Sequence, residues 1–178
     1  MRLAVPFESQ LDNSSGQGRR ECFSSSCAML ARFHGRIAND DAYNRVRARF
    51  GDTTSVGAQL ATLRHLGLIA LFRTDATRSV VLSELAAGRP VAVAWLHQGP
   101  VRSPSGGGHW SVVVGQWQRG WLMHDPNGEA DLVRGGYLPN RNGAYQRYSW
   151  LNWERRWLIE GPRSGWIITA QPVGARVA

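Results

Sequence analysis

Lysine is missing from this chain. Its positive charge rests on 21 arginines set against 13 acidic residues, a formal net charge of +8. An all-arginine complement fits a GC-rich coding bias, and it also suits attraction to an anionic partner such as nucleic acid, a cell envelope or an acidic substrate. The arginines form no cluster: residues 1–90 carry 12 against 8 acids, and residues 91–178 carry 9 against 5. No basic patch can be read from that spread, so nucleic-acid binding is not expected. Cysteine is scarce too, with only Cys22 and Cys27. Two are too few for a disulfide scaffold. On one helix their Cα atoms would lie about 8 to 9 Å apart, beyond disulfide reach, so at least one free thiol is expected. No second Cys pair or close His pair completes a zinc site, and neither a metal nor an organic cofactor is expected. No apolar run is long enough to span a bilayer, and MRLAVPFESQ lacks the apolar core and cleavage site of a signal peptide. A soluble product made in the cytoplasm follows as an expectation, with later release or delivery to the cell envelope left open. Internal repeats and low-complexity segments are absent.

What is present suffices for one core. The chain has 178 residues, 43% of them hydrophobic, and eight tryptophans, so one domain over residues 1–178 and a monomer are expected. ECFSSSCAMLARFHG predicts a buried helix that begins at Cys22 and stops at Gly35. NDDAYNRVRARFG (39–51) predicts a second helix, with acidic residues at its start and basic ones at its end. SVGAQLATLRHLG (55–67) predicts a third, with Ser55 as cap and Val56, Leu60, Leu63 and Leu66 on one face. After these come a strand (68–73), a short helix (79–88) and a buried strand (89–97) led by Pro90. A loop from Gln98 to Gly108 leads into two strands paired about Gln118, Arg119 and Gly120. WLNWERRW (150–157) reads as a helical turn and GWIITAQ (165–171) as a last strand. Helices first and an antiparallel sheet after is the α+β pattern.

The chemistry gathers at three points. Cys22 at the amino end of a helix meets free amides and the positive end of the helix dipole, both of which favour a thiolate. Cys27, more than a turn deeper, reads as a small core residue. His109 enters its strand after three glycines that leave room beside the imidazole. Asp125 leaves the neighbouring strand, and an antiparallel hairpin brings the start of one strand beside the end of the other. Asp125 can then accept from one ring nitrogen of His109 and hold the other toward a sulfur. Each has a plainer reading: His109 as a hydrogen-bonded core residue, and Asp125 as a turn residue in DPNG. His124 should face away from Asp125. His34 and His65 read as helix C-terminal caps. His97 ends a strand at the border of the same cleft and is a candidate substrate contact, as are Gly108 and Trp110.

VPFESQLDN, ECFSSSCAML, GGGHWSVVVG and HDPNGE, in that order, resemble the papain-like cysteine peptidases. The likeness is to the branch similar to the bacteriocin-processing peptidases, family thirty-nine of the cysteine peptidases, of stand-alone bacterial or phage type. It spans about residues 5 to 129, and no general motif covers the tail from Asp131. Each motif is weak alone; four in order are fairly specific. The resemblance implies an α+β papain-like fold with an N-terminal helical part on an antiparallel sheet. It also implies roles: Cys22 as nucleophile, His109 as base and then acid, Asp125 as its orienting group. Gln10 would be an oxyanion donor with the Cys22 amide, and Gln17 competes for that place. Where the family commonly follows the nucleophile with Gly-Pro, this chain has Phe23 and Ser24. The implied reaction is cleavage of an amide bond through a thioester, on a peptide or on the stem peptide of peptidoglycan. Trp110, Trp117, Trp121, Trp150, Trp153 and Trp157 would suit an anionic cell wall if exposed. Acyl transfer of the transglutaminase kind on the same triad stays open. So does a binding protein that keeps the fold without turnover and uses its arginines on a polyanion.

Overall fold

The computed structural model describes residues 2–139 and 142–174. Its order of elements is α1 (Cys22–Phe33), α2 (Asp40–Arg47), α3 (Val56–His65), β1 (Leu68–Ala76), α4 (Arg78–Ala86), β2 (Val91–Trp95), β3 (His109–Trp117), β4 (Gly120–His124), β5 (Gln146–Ser149), α5 (Trp150–Trp157) and β6 (Gly165–Pro172). Two short 3₁₀ turns, Gln10–Asp12 and Gly18–Arg20, precede α1. The strands form one sheet in the order β1-β6-β2-β3-β4-β5, and every neighbouring pair is antiparallel. The α+β expectation holds.

Local chemistry sets the ends of the helices. Asn39, Ser55, Thr77 and Ser149 each accept a backbone amide with their side chains at the start of α2, α3, α4 and α5, satisfying a donor that the first turn leaves free. α1 ends before Gly35, whose φ of 66° few other residues adopt cheaply. Between β3 and β4 the pairing of Trp117 with Gly120 leaves a two-residue turn, Gln118 and Arg119.

The sheet is covered on both faces. Met29, Leu30 and Ala31 of α1 and Leu63 of α3 pack with Ala92, Val112, Val114 and Ile168 on one side. On the other, Val81 and Leu85 of α4 and Trp153 and Trp157 of α5 pack with Val91, Val93, Val113, Trp121 and Ile167. Two-sided burial is why VAVAW of β2 is an unbroken apolar run and not an alternating one.

Four expectations need correction. In α3 the buried face is Ala58, Gln59, Thr62 and Leu63, while Val56, Leu60 and Leu66 are only half-buried. A polar layer causes the turn: the Gln59 amide donates to Ser24 Oγ (2.9 Å) and to the Thr53 carbonyl (2.7 Å), and its oxygen accepts from Tyr43 (2.8 Å). β5 was not foreseen; it adds to β4, pairing Ser149 with Gly120. The His34 ring does not cap its own helix but bonds the Ala170 carbonyl of β6 at 3.0 Å. The tryptophans are mostly core: Trp95, Trp110, Trp121, Trp153 and Trp157 are buried, Trp117 and Trp150 half-buried, and Trp166 alone exposed. The cell-wall surface that they were to supply is therefore absent.

Candidate active site

Cys22 is the first residue of α1, where an amide has no carbonyl one turn back to bond. Its neighbour Phe23 explains the departure from a small turn pair. The Phe23 ring stacks flat on Trp110, centroids 3.9 Å apart, tying the residue after Cys22 to the residue after His109. Trp110 is thus a core residue; its backbone amide, not its ring, reaches the sulfur. That corrects its reading as a substrate contact.

β3 begins at His109, which pairs in register with Trp95 of β2. Asp125 follows the last residue of β4. The hairpin joins them: His109 Nε2 lies 2.7 Å from Asp125 Oδ1. The carboxylate is wholly buried and held by two further donors, the Asn127 amide to Oδ1 (3.1 Å) and the Tyr148 hydroxyl to Oδ2 (3.0 Å). So Asp125 is both the turn residue and the histidine partner, and the two readings do not compete. Gly143 presses against it, accepting the Asp125 amide with its carbonyl at 2.9 Å. A Cβ on Gly143 would stand 1.7 Å from the Asp125 carbonyl oxygen, so only glycine lets the chain pass there.

The electrostatics of the pair run against its burial. Desolvation favours neutral imidazole at His109, yet the Asp125 charge and hydrogen bond, then the bond and charge of Cys22, push it up to about 10. Desolvation likewise raises the Cys22 thiol, but the hydrogen bond and charge of His109 and the Trp110 amide bring it below its ordinary value. Nε2 is engaged by Asp125, which leaves Nδ1 for the sulfur. The arrangement favours thiolate beside imidazolium.

Rings enclose the imidazole. Trp95 lies edge-on at 5.5 Å, Tyr137 at 5.6 Å and His97 at 5.2 Å between centroids. His97 does border the cleft. It is half-buried, and desolvation together with the charge of His109 lowers it to about 4. His124 turns away, bonding the Val5 carbonyl through Nε2 (2.9 Å) and accepting the Tyr145 amide on Nδ1 (3.0 Å). Gly108 is exposed beside His109 with φ of 85°. Gln10 is buried, and its backbone amide bonds the Pro126 carbonyl at 2.9 Å, which docks the amino-terminal segment on the turn that carries Asp125. Its side-chain amide gives one hydrogen to the Gly18 carbonyl (2.9 Å). Gln17 is exposed on the outer side of the 3₁₀ turn.

Three contributors escaped the sequence. Tyr148 stands on the unforeseen β5, and Tyr137 lies in the turn-rich stretch. Arg156 is 1% exposed and spends all its donors on the carbonyls of Leu96, Gln98, Gly99 and Leu132, fixing the loops on either side of His97. One signal was available: Trp153, Arg156 and Trp157 share one helical face, so the arginine sits within an apolar stripe. Among the described residues no cluster of side chains could hold a metal, and no helix is long and apolar enough to cross a membrane.

A model of the Peptidase C39-like family matches residues 2–158. The chain belongs to this family of cysteine peptidases. No curated protein matches it. Among solved structures it is similar to a protein from Bacillus anthracis described as a C39-like peptidase, with 14% identity, 94% of each chain covered and a TM-score of 0.64. It is also similar to the peptidase domain of Streptococcus ComA, a bi-functional ABC transporter involved in quorum sensing: 15% identity, 94% of this chain and 98% of that one, TM-score 0.60. A third is a double glycine motif protease from an AMS/PCAT transporter, in complex with a leader peptide: 16% identity, 97% of this chain and 94% of that one, TM-score 0.59. At these identities the structures speak for the fold, and the C39-like fold is that of this chain.

Proposed function

We propose that the chain hydrolyses peptide bonds by a Cys22–His109–Asp125 triad. One observation carries the reading: His109 is held to Asp125 by Nε2 at 2.7 Å while its other nitrogen serves Cys22. In the proposed cycle the Cys22 thiolate attacks the scissile carbonyl carbon, and the oxyanion forms against the Cys22 backbone amide and the free hydrogen of the Gln10 side-chain amide. Burial of Gln10 and exposure of Gln17 favour Gln10 for that role. The C–N bond breaks as His109 gives its Nδ1 proton to the leaving amine. His109 then takes a proton from water, whose oxygen attacks the thioester and frees the acid. Asp125 stays ionised throughout and fixes the ring.

The substrate in this reading is a peptide; nothing on the surface favours a cell-wall stem peptide over it once the tryptophans prove to be core. A polyanion-binding role without turnover finds little support. Arg20, Arg32, Arg73, Arg78 and Arg89 are paired with acids, and Arg156 is buried. The test is digestion of denatured casein by wild type and Cys22→Ala. Cleavage by wild type alone, with a thioester adduct on Cys22 seen by mass spectrometry after acid quench, supports the triad. Equal cleavage by both proteins discards it.

A further inference from the structure

Beside His109 the fold leaves a cavity of about 200 Å³. This is smaller than the roughly 300 to 1,000 Å³ of sites that hold whole small molecules, and it suits one large side chain. Its walls are Trp95, Trp157, Ile159 and Trp166, and its mouth is Gly107 and Gly108. Trp95 is the strand partner of His109, with its ring edge on the imidazole, so cavity and reacting atoms share a wall. Trp166 and Ile159 are 45% and 52% exposed, apolar surface left in water at the rim. The polar groups nearby are already engaged: Arg156 has given its hydrogens to carbonyls, and Ser164 donates to the Gly161 carbonyl at 2.8 Å.

Gly107 is the telling residue. A Cβ there would meet no atom within 4 Å, and its φ lies outside the left-handed region that makes Gly106 and Gly108 glycine positions. Neither packing nor backbone geometry asks for glycine at 107. Room for something else does. We infer that this cavity receives a large apolar side chain of the peptide substrate, within three residues of the scissile bond, and that Gly107 keeps its mouth open. The inference rests on the hydrolase reading and names the substrate class for it.

The experiment offers a mixed peptide library from a digested, denatured proteome and reads the cut bonds by mass spectrometry. In wild type, Leu, Ile, Met and Phe should exceed Gly about tenfold or more at one fixed position near the cut, as expected for filling one apolar pocket. Gly107→Leu should abolish that preference and Trp166→Ala should weaken it, with thermal midpoints close to wild type. Glycine or no preference at every position, a preference untouched by Gly107→Leu, or no cleavage while Cys22 is rapidly alkylated would each overturn the inference. Alkylation of Cys22 by iodoacetamide at pH 6 reads the hydrolase proposal separately. If Cys22 reacts no faster than Cys27, that proposal fails whatever the cleavage profile.

Discussion

The amino end of α1 and its second turn offer the same thiol in two settings. Cys22 and Cys27 share one helix, and desolvation raises both. Cys22 nevertheless ends below its ordinary value, drawn down by His109 and the Trp110 amide. Cys27, wholly buried, goes far above it, since the Tyr43 hydrogen bond does not offset its burial. The histidines mirror this. His109 rises to about 10 beside Asp125 and Cys22, whereas His97, whose centroid is 5.2 Å away, falls to about 4. Burial alone pushes each group toward its neutral form; a partner of opposite charge decides which groups escape.

Removing the partner is the largest way to break the contrast. His109→Ala should make Cys22 behave like Cys27, cutting peptide cleavage about a thousandfold or more and slowing iodoacetamide labelling at pH 6 toward that of the deeper thiol. Stopped alkylation with mass-spectrometric site assignment would read it. Asp125→Asn should cost about a hundredfold to ten-thousandfold in kcat, because the ring loses both its orientation and the charge that keeps it protonated. The rise in thiolate absorbance near 240 nm should move to higher pH in this variant.

Titration sharpens the comparison from the other side. His124, bonded to Val5 and Tyr145, is lowered from 6.5 to about 4, so the folded protein resists a proton that the unfolded chain accepts. The resulting stability is full above pH 6.5 and is lost as pH falls toward 4. His124→Gln should flatten the fall of the thermal midpoint across that window while lowering the midpoint at pH 7. His109 works oppositely. Its raised value stabilises the fold below pH 6.5, and that contribution is lost as pH rises through about 10, so His109→Ala should reduce the alkaline loss. Smaller again is Tyr148→Phe. It removes the donor to Asp125 Oδ2 and the acceptor of the Ala130 amide, and should cost about 1 to 3 kcal/mol of stability by denaturant unfolding, with a severalfold loss of kcat.

What could be read from the residues divides along the range of the interactions. α1 and the β3–β4 hairpin were legible because their cues are local: small polar residues ahead of an apolar face, a glycine stop, and apolar runs about a short polar break. The meeting of His109 and Asp125 followed from hairpin geometry alone. Cys22 needed the resemblance, since nothing local carries a helix end to a strand nearly ninety positions later. Gln59 was hidden because its burial depends on Ser24, Thr53 and Tyr43, all distant in sequence. β5 was hidden because QRYS is short and polar, and becomes a strand by adding to the edge left by β4. The tryptophans show the same limit: aromatic content measures what can be buried, and only the packing of α5 against the sheet decided that Trp153 and Trp157 were. Arg156 runs against the usual pattern, as a buried cation is tolerated only where carbonyls converge to meet every donor.

The smallest expected effect tests whether the two thiols are independent. Cys27→Ala leaves the length, first turn and dipole of α1 as they are, and Tyr43 keeps its bond to Gln59. What is lost is one buried sulfur from a packed core, at about 1 kcal/mol in denaturant unfolding. Cleavage and the labelling rate of Cys22 should stay within about twofold of wild type. The charge of Cys22 is itself one of the influences that keep Cys27 neutral, but a neutral Cys27 exerts no such influence in return, so the coupling runs one way under assay conditions. A tenfold fall in Cys22 labelling in Cys27→Ala would break the comparison. It would mean that the second turn of the helix, and not His109 alone, sets the reactivity of the first.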